Sequence, residues 1–300
     1  MKKKILVFGA TGAQGGSVAR HLLARGVFDV RAFTRNSKSD KAQALRDLGA
    51  EVVEGNLDDR STIAAALQGI YGVFGVTNFW EHFDKEAEQG RNLVDAVASS
   101  DVEHFVLSSL PPIANATNGE LRSPHFDLKA EHEDRARSLG IPSTFVHVPF
   151  YYENFLAFFP PRPAEDGALQ FGFPQGDTPL AAMSVEDVGR IVAPIFEQPE
   201  LYIGKVLKLA GDELPAAEYA SAMSKQLGRE VRYAHVPREV FAALGFPGAE
   251  DLADMFEFYR VHMPSRRKEI DDCRKIDPQV QSFGAWLSSN DAKLRSALQV

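Results

Sequence analysis

Short apolar segments alternate with longer amphipathic segments through the first half of the chain. The run at 5–8 is fully apolar, and the segment after it places Val18 and Leu22 on one helical face. The same alternation predicts strands at 30–34, 51–54, 73–76, 104–108 and 144–147, and helices at 38–48, 60–68, 84–99 and 124–138. Buried apolar strands separated by helices are typical of an α/β fold with a doubly wound parallel sheet.

A glycine cluster joins the first predicted strand to the first helix. Gly9 permits a sharp turn, Gly12 lets the backbone approach a pyrophosphate, and Gly15 lets the helix pack closely against the strand. The helix N-terminus adds free N–H groups and the positive end of its dipole, which favour an anion. The pattern therefore predicts a Rossmann-type nucleotide-binding domain. The loop expected to contact the cofactor comprises Gly9, Thr11, Gly12, Ala13, Gln14 and Gly15.

A basic residue, Arg35, ends the second predicted strand, twenty positions after Gly15. An NAD-binding domain usually carries an acidic residue here for the ribose 2′-hydroxyl, whereas a base suits the 2′-phosphate of NADP. Lys38 and Lys41 follow on the next turn. We therefore predict NADP(H) as the cofactor; the alternative interpretation of these residues is a solvated basic surface patch.

Two further strand ends are expected to face the same ligand, because the carboxyl ends of parallel strands share one edge of the sheet. Asn56 and Leu57 follow the third strand and are expected near the adenine. Thr77 and Asn78 follow the fourth strand and are expected near the adenosine ribose and the phosphates.

The predicted helix at 124–138 carries the candidate catalytic residues. This segment resembles the helix of short-chain dehydrogenases that carries Tyr-x-x-x-Lys, where the spacing of four places both side chains on one face. Here the lysine is Lys129 and the tyrosine is replaced by His125. Lys129 can bind the nicotinamide ribose, whereas we expect His125 to be a satisfied polar side chain. Ser108 and Ser109, at the end of the fifth strand, resemble in position the active-site serine of the short-chain dehydrogenases.

The alternation of strand and helix ends near residue 150. Residues 150–183 are rich in proline, glycine and aromatics, Ser184 caps a helix to 197, and 206–209 form one more sheet strand. Further helices are predicted at 214–227, 237–244, 249–259 and 283–287. We predict a Rossmann domain from residues 1–149 and 184–210, and a smaller, discontinuous C-terminal lobe from 150–183 and 211–300. Prolines and asparagines over 110–124 predict a mobile loop.

Composition limits the class of protein. The net charge of −8 argues against direct binding to nucleic acid, and no apolar stretch reaches the length of a membrane span. The single cysteine suits a reducing compartment, and only four apolar residues precede Gly9, too few for a signal-peptide core. We expect a cytoplasmic protein, or a nuclear one in a eukaryote. The histidines and acids at 125–133 lack helical zinc spacing, so we predict no metal site.

Several motifs together resemble the NmrA-like family of atypical short-chain dehydrogenases/reductases, and most closely its NADP(H)-sensing animal members. They are GATGAQGGSVAR at 9–20, TRN at 34–36, TNFWE at 77–81, HFDLK at 125–129, PFYYENF at 149–155 and LGFPGAEDLADMF at 244–256. The resemblance implies an NADP(H)-binding fold without the catalytic tyrosine and a regulatory role through a protein partner. It also implies that the segment around Tyr152 and Asn154 touches the cofactor.

Two functions remain open from the sequence. The first is an NADP(H) sensor that reports the cofactor ratio to a regulatory protein partner, with a homodimer as one state it could use. The second is an NADPH-dependent reductase of a small carbonyl or quinone that uses Lys129 or His125 in place of the tyrosine. The sequence favours the sensor, because a histidine stands where the dehydrogenases have the tyrosine that donates the proton.

Overall fold

A computed structural model describes residues 2–81 and 83–299 of the chain. The chain forms two compact units. The first takes in the chain up to Pro112, then His125–Val148 and Val185–Lys208. The second takes in Ile113–Pro124, Pro149–Ser184 and the chain from Leu209 onward. No helix in this described part of the chain is long and apolar enough to cross a membrane.

The strands and helices interleave along the chain. The strands are β1 (Lys4–Val7), β2 (Asp29–Thr34), β3 (Glu51–Glu54), β4 (Gly72–Gly75), β5 (His104–Ser109), β6 (Ser143–His147), β7 (Phe150–Tyr151), β8 (Arg162–Pro163), β9 (Leu169–Phe173), β10 (Leu180–Met183), β11 (Val206–Lys208), β12 (Asp212–Leu214) and β13 (Val231–His235). The helices are α1 (Ala13–Arg25), α2 (Asp40–Asp47), α3 (Arg60–Ala66), α4 (Glu86–Ala98), α5 (Ile113–Ala116), α6 (Pro124–Ser138), α7 (Val185–Glu197), α8 (Pro199–Tyr202), α9 (Ala216–Leu227), α10 (Arg238–Ala242), α11 (Ala249–Val261), α12 (Arg267–Ile276), α13 (Phe283–Ser289) and α14 (Asp291–Leu298), and a 3-10 helix covers Tyr152–Phe155.

A seven-stranded parallel sheet forms the centre of the first unit, in the order β11-β6-β5-β4-β1-β2-β3. Strand β1 lies inside this sheet, with Leu6 between Arg31 of β2 and Val73 of β4. The strand order reverses at β1, which is the point where open α/β sheets bind their ligands. The predicted doubly wound Rossmann fold is therefore confirmed.

Helices cover both faces of this sheet, as the continuous apolar strands require. On one face, Leu6 and Phe105 belong to a core that also contains Ile63 of α3 and Leu93 of α4. On the other, the side chains of Ile5 and Phe196 of α7 close around Gly72, which has no space for a Cβ atom. Helix α7 also packs against α1, and the Ser17 hydroxyl of α1 donates to the carbonyl of Glu186 in α7 at 2.7 Å.

The second unit is built from two small sheets and an aromatic core. The sheets have the orders β12-β10-β7 and β13-β9-β8. Phe173 of β9 and Phe256 of α11 stack with ring centroids 4.7 Å apart. The sequence pattern does not predict helices α12 and α14. It also does not predict the four short strands within 150–183, because these strands pair largely with residues far along the chain. For example, β9 pairs with β13, and β10 with β12.

The segment 110–124, predicted as a mobile loop, contains a short helix, and residues 113–124 belong to the second unit. Its mobility stays a prediction. Residues 113–116 form α5, and Thr117 is buried with its hydroxyl donating to the carbonyl of Ile113 at 2.9 Å. The buried Ser123 hydroxyl donates to Asp251 of α11 at 3.0 Å. Proline and asparagine predict irregular backbone here, and side-chain hydrogen bonds connect that backbone to α11.

Candidate functional site

The glycine loop between β1 and α1 has the geometry of an anion cradle. Gly9 lies in the left-handed region at φ +63°, and its carbonyl accepts from the amide of Gly12 at 2.8 Å. A Cβ atom on Gly15 would lie 2.4 Å from the Gly9 oxygen, so only glycine allows α1 to start this close to β1. Gly12 and Ala13 are exposed at the start of α1, whose first turn carries no acidic side chain. The residues present therefore fit a bound pyrophosphate.

Two side-chain contacts fix this loop to the carboxyl edge of the sheet. The hydroxyls of Thr11 and of Thr34, at the end of β2, are 3.2 Å apart. The Ser108 hydroxyl, near the end of β5, donates to Oε1 of Gln14 at 2.7 Å. The loop, β2 and β5 thus meet where the sequence placed the cofactor. The pairing of Ser108 with Gln14 has no signal in the sequence, because the two residues are 94 positions apart.

Arg35 lies directly after β2 with a half-exposed side chain. Its Nη2 donates to Oε1 of Glu81 at 2.6 Å, and Asn78 donates to the other oxygen of the same carboxylate at 3.2 Å. Lys41 is exposed on α2. The segment that follows β4 therefore supplies a counter-ion to the residue predicted to bind the 2′-phosphate.

Asn56 and Leu57 form a turn after β3. The Asn56 amide donates to Oδ2 of Asp58 at 3.2 Å, and its oxygen accepts from the Asp58 backbone amide at the same distance. The carbonyl of Leu57 accepts from the Asn92 side chain of α4 at 2.9 Å. The contact with α4 therefore fixes the position of this turn at the edge of the sheet.

Lys129 of α6 is held in a buried ion pair. Its ammonium donates to Oε1 of Glu86 at 2.6 Å, to the Thr77 hydroxyl at 2.9 Å and to the Thr77 carbonyl at 3.1 Å. The Thr77 hydroxyl in turn donates to the same Glu86 oxygen at 2.5 Å. The Glu86 side chain is completely buried, and that of Lys129 is 11% exposed. Sequence reasoning missed Glu86, because a glutamate in the first turn of a helix ordinarily indicates helix capping.

His125 is placed among aromatic rings. Its ring centroid lies 4.9 Å from that of Trp80, 4.6 Å from that of Phe126 and 5.8 Å from that of Phe79. The residue is 6% exposed. Ser109, the other candidate, is fully buried, and its hydroxyl donates to the carbonyl of Lys129 at 3.0 Å. Ser109 therefore supports α6 where that helix carries Lys129.

Two buried histidines lie close to these residues on the same helix and the next strand. Burial lowers the pKa of His132 to about 4, so its neutral ring donates to the Glu86 carbonyl at 3.2 Å. His147, at the end of β6, contacts Glu133 at 2.9 Å. Burial favours the protonated Glu133 carboxyl, but hydrogen bonds from His147 and Arg137 outweigh it and lower its pKa. The helix that carries Lys129 is thus packed through charged and polar groups.

Tyr152 and Asn154, the remaining predicted contacts, belong to the second unit. The Tyr152 side chain has no exposed surface, and its hydroxyl donates to the carbonyl of Gln281 at 3.3 Å. The ring contacts Phe283 and Trp286 at centroid distances of 5.1 and 5.6 Å. The side chain of Tyr152 is therefore part of the core of that unit, while Asn154 is half-buried. Their predicted contact with the cofactor stays a prediction.

The family model described as NmrA-like matches residues 1–283. The chain belongs to the NmrA-like family. This NmrA-like protein is 35% identical over 278 residues to the NmrA-like family domain-containing oxidoreductase FrzB of a Cladobotryum species. The match covers 85% of this chain and 83% of FrzB. The family predicted from the motifs is therefore confirmed.

Solved structures of two relatives share the fold. The negative transcriptional regulator NmrA, solved in complex with NADP, has a TM-score of 0.81 at 25% identity, covering 95% of this NmrA-like chain and 94% of its own. NmrA has also been solved with NAD, with a TM-score of 0.82. The NADPH-dependent quinone oxidoreductase QOR2 of Escherichia coli, complexed with NADPH, has a TM-score of 0.80 at 26% identity, covering 95% and 99%.

Proposed function

We propose that this protein binds NADP(H) through its first unit. The exposed start of α1 would hold the pyrophosphate, Arg35 the 2′-phosphate, and Lys129 the nicotinamide ribose. The fit of Gly12 and Gly15 to an anion cradle supports this assignment, as do the NADP and NADPH complexes of NmrA and QOR2. The bound cofactor would supply or accept a hydride, and the residues of this chain would bind and orient it.

We further propose that the protein acts mainly as an NADP(H)-responsive regulator. The observation that carries this proposal is the state of the two residues that a dehydrogenase needs for proton transfer. Position 125 holds a histidine enclosed by the rings of Trp80 and Phe126, and the ammonium of Lys129 is already paired with Glu86. A positioned acid contributes 10²- to 10⁴-fold to such reactions, so its loss should make turnover slow.

A reductase is the second candidate function. It is favoured by the description of FrzB as an oxidoreductase and of QOR2 as a quinone oxidoreductase. A quinone can accept a hydride and take its proton from solvent, so such an acceptor depends less on a tyrosine at position 125. In this alternative, Lys129 or His125 would take the place of the tyrosine.

Two measurements on the purified protein, NADPH binding and NADPH oxidation, distinguish the two functions. We expect calorimetric binding of NADPH together with oxidation of NADPH far slower than about 1 s⁻¹ against a panel of small carbonyls and quinones. Turnover of any acceptor at about 1 s⁻¹ or faster would replace the regulator with the reductase. Absence of NADPH binding would contradict both functions.

The regulatory proposal also requires a partner. We propose a protein partner whose affinity depends on the bound cofactor, with self-association into a homodimer as the alternative, and no direct contact with nucleic acid. The net charge of −8 supports the last point, because DNA binding is dominated by phosphate neutralisation. Sedimentation of the protein with and without NADPH tests self-association directly.

A further inference from the structure

We infer that Glu86 is an internal competitor for the Lys129 ammonium, and that it lowers the affinity of the protein for NADP(H). This inference rests on the proposed binding of the cofactor. It assigns Glu86 as a positioning residue that acts through Lys129.

The geometry leaves Lys129 little freedom to bind a second ligand. An ammonium has three N–H donors, and the three contacts of Lys129 to Glu86 and to the two oxygens of Thr77 match that number. A ribose hydroxyl can accept from Lys129 only if at least one of these contacts is given up. Gly90 brings α4 and α6 close enough for this pairing, because a Cβ atom there would lie 1.9 Å from Nε2 of His132.

The burial of Glu86 makes the exchange costly. Its side chain is 0% exposed, and its Oε2 atom has no hydrogen-bond partner among residues 2–81 and 83–299. A buried carboxylate that loses its counter-ion is strongly destabilised. Cofactor binding must therefore offset the loss of the contact between Lys129 and Glu86, and the apparent affinity falls by the fraction of protein in which Lys129 is available.

The other cation assigned to the cofactor, Arg35 at the predicted 2′-phosphate, is also paired with a carboxylate. Glu81, from the same segment after β4, accepts from Arg35 at 2.6 Å. Both partners are more than one-third exposed, so this pair is worth far less than the buried one. Residues 77–86 thus supply a carboxylate to each of the two cations assigned to NADP(H).

The test compares the NADPH dissociation constants of Glu86→Gln and of the unmutated protein by calorimetry. The neutral amide keeps the shape of the side chain but removes the charge, so we expect Glu86→Gln to bind NADPH at least about tenfold more tightly. The double variant Glu86→Gln with Lys129→Met should bind no better than Lys129→Met alone, because Glu86 acts through the lysine.

The control is Glu88→Gln, which removes the same charge from an exposed position of α4 and should leave affinity unchanged. Circular dichroism melting checks that each variant is folded. If Glu86→Gln does not fold, Glu86→Asp keeps the charge, shortens the reach and should also tighten binding. Unchanged or weaker binding in a folded Glu86 variant overturns the inference, as does equal tightening in the Lys129→Met background. If the unmutated protein does not bind NADPH at all, that result would instead overturn the proposed function.

Discussion

Arg35 and Lys129 carry the same charge, and each is paired with a carboxylate, but the two ion pairs differ in how strongly solvent screens them. The side chain of Arg35 is 52% exposed, so solvent screens its contact with Glu81. The side chain of Lys129 is 11% exposed and its partner Glu86 is fully buried, so that pair is screened far less. At the scale of single residues, burial therefore decides which cation is available to a ligand.

Arg35→Ala should remove the preference for NADP over NAD. A charge-assisted contact with the 2′-phosphate contributes roughly 1.5–3 kcal/mol, so the unmutated protein should bind NADP roughly ten- to a hundredfold more tightly than NAD. The exposed contact with Glu81 is too weak to cancel this difference. Calorimetry with both cofactors measures the ratio, and Arg46→Ala on α2 is the matched control. Equal affinities for NADP and NAD in the unmutated protein would refute the assignment of Arg35.

The pairing of α4 with α6 sets the geometry of the site at the scale of elements. Gly90 on α4 faces the ring of His132 on α6, with no space for a methyl group between them. The same two helices carry Glu86 and Lys129. A change at Gly90 should therefore move the ion pair as well as destabilise the fold.

Gly90→Ala should lower the free energy of unfolding by about 1–3 kcal/mol, the usual cost of overpacking a buried contact. His132→Ala removes the ring that the new methyl group would meet. In the His132→Ala background, Gly90→Ala should therefore cost nothing or stabilise slightly, since alanine favours helix over glycine. Urea unfolding of the four proteins measures the coupling. A similar cost of Gly90→Ala in both backgrounds would show that His132 is not the obstacle.

At the scale of the whole molecule, two buried histidines should make stability depend on pH. Burial lowers the pKa of both His104 and His132 from 6.5 to about 4. Because the folded protein binds these protons less readily than the unfolded chain, their contribution is present above pH 6.5. It is lost as the pH falls towards 4, by about 3 kcal/mol for each histidine.

We therefore expect the midpoint of urea unfolding to fall steeply between pH 6.5 and 4.5. His132→Gln should flatten this dependence, whereas the same change at His262, which is exposed, should leave it unaltered. A flat profile over that interval in the unmutated protein would show that the two rings are accessible to protons.

The sequence by itself determined the sheet and the glycine loop. Continuous apolar runs are buried on both faces of a sheet. A glycine is required at position 15 because a Cβ atom there would lie 2.4 Å from the carbonyl oxygen of Gly9. These features depend on residues that are adjacent in the chain. The bounds of α6, Pro124–Ser138, match the predicted helix for the same reason.

The tertiary structure alone decided the state of the candidate site and the fold of the second unit. Lys129 meets Glu86 across 43 positions, and Ser123 meets Asp251 across 128. The strands within 150–183 depend on partners such as β13. Each of these contacts pairs a residue with a distant one, and hydrophobic periodicity carries information only about neighbours on the same element. Whether a lysine is free or already paired is therefore decided by packing and cannot be read from its motif.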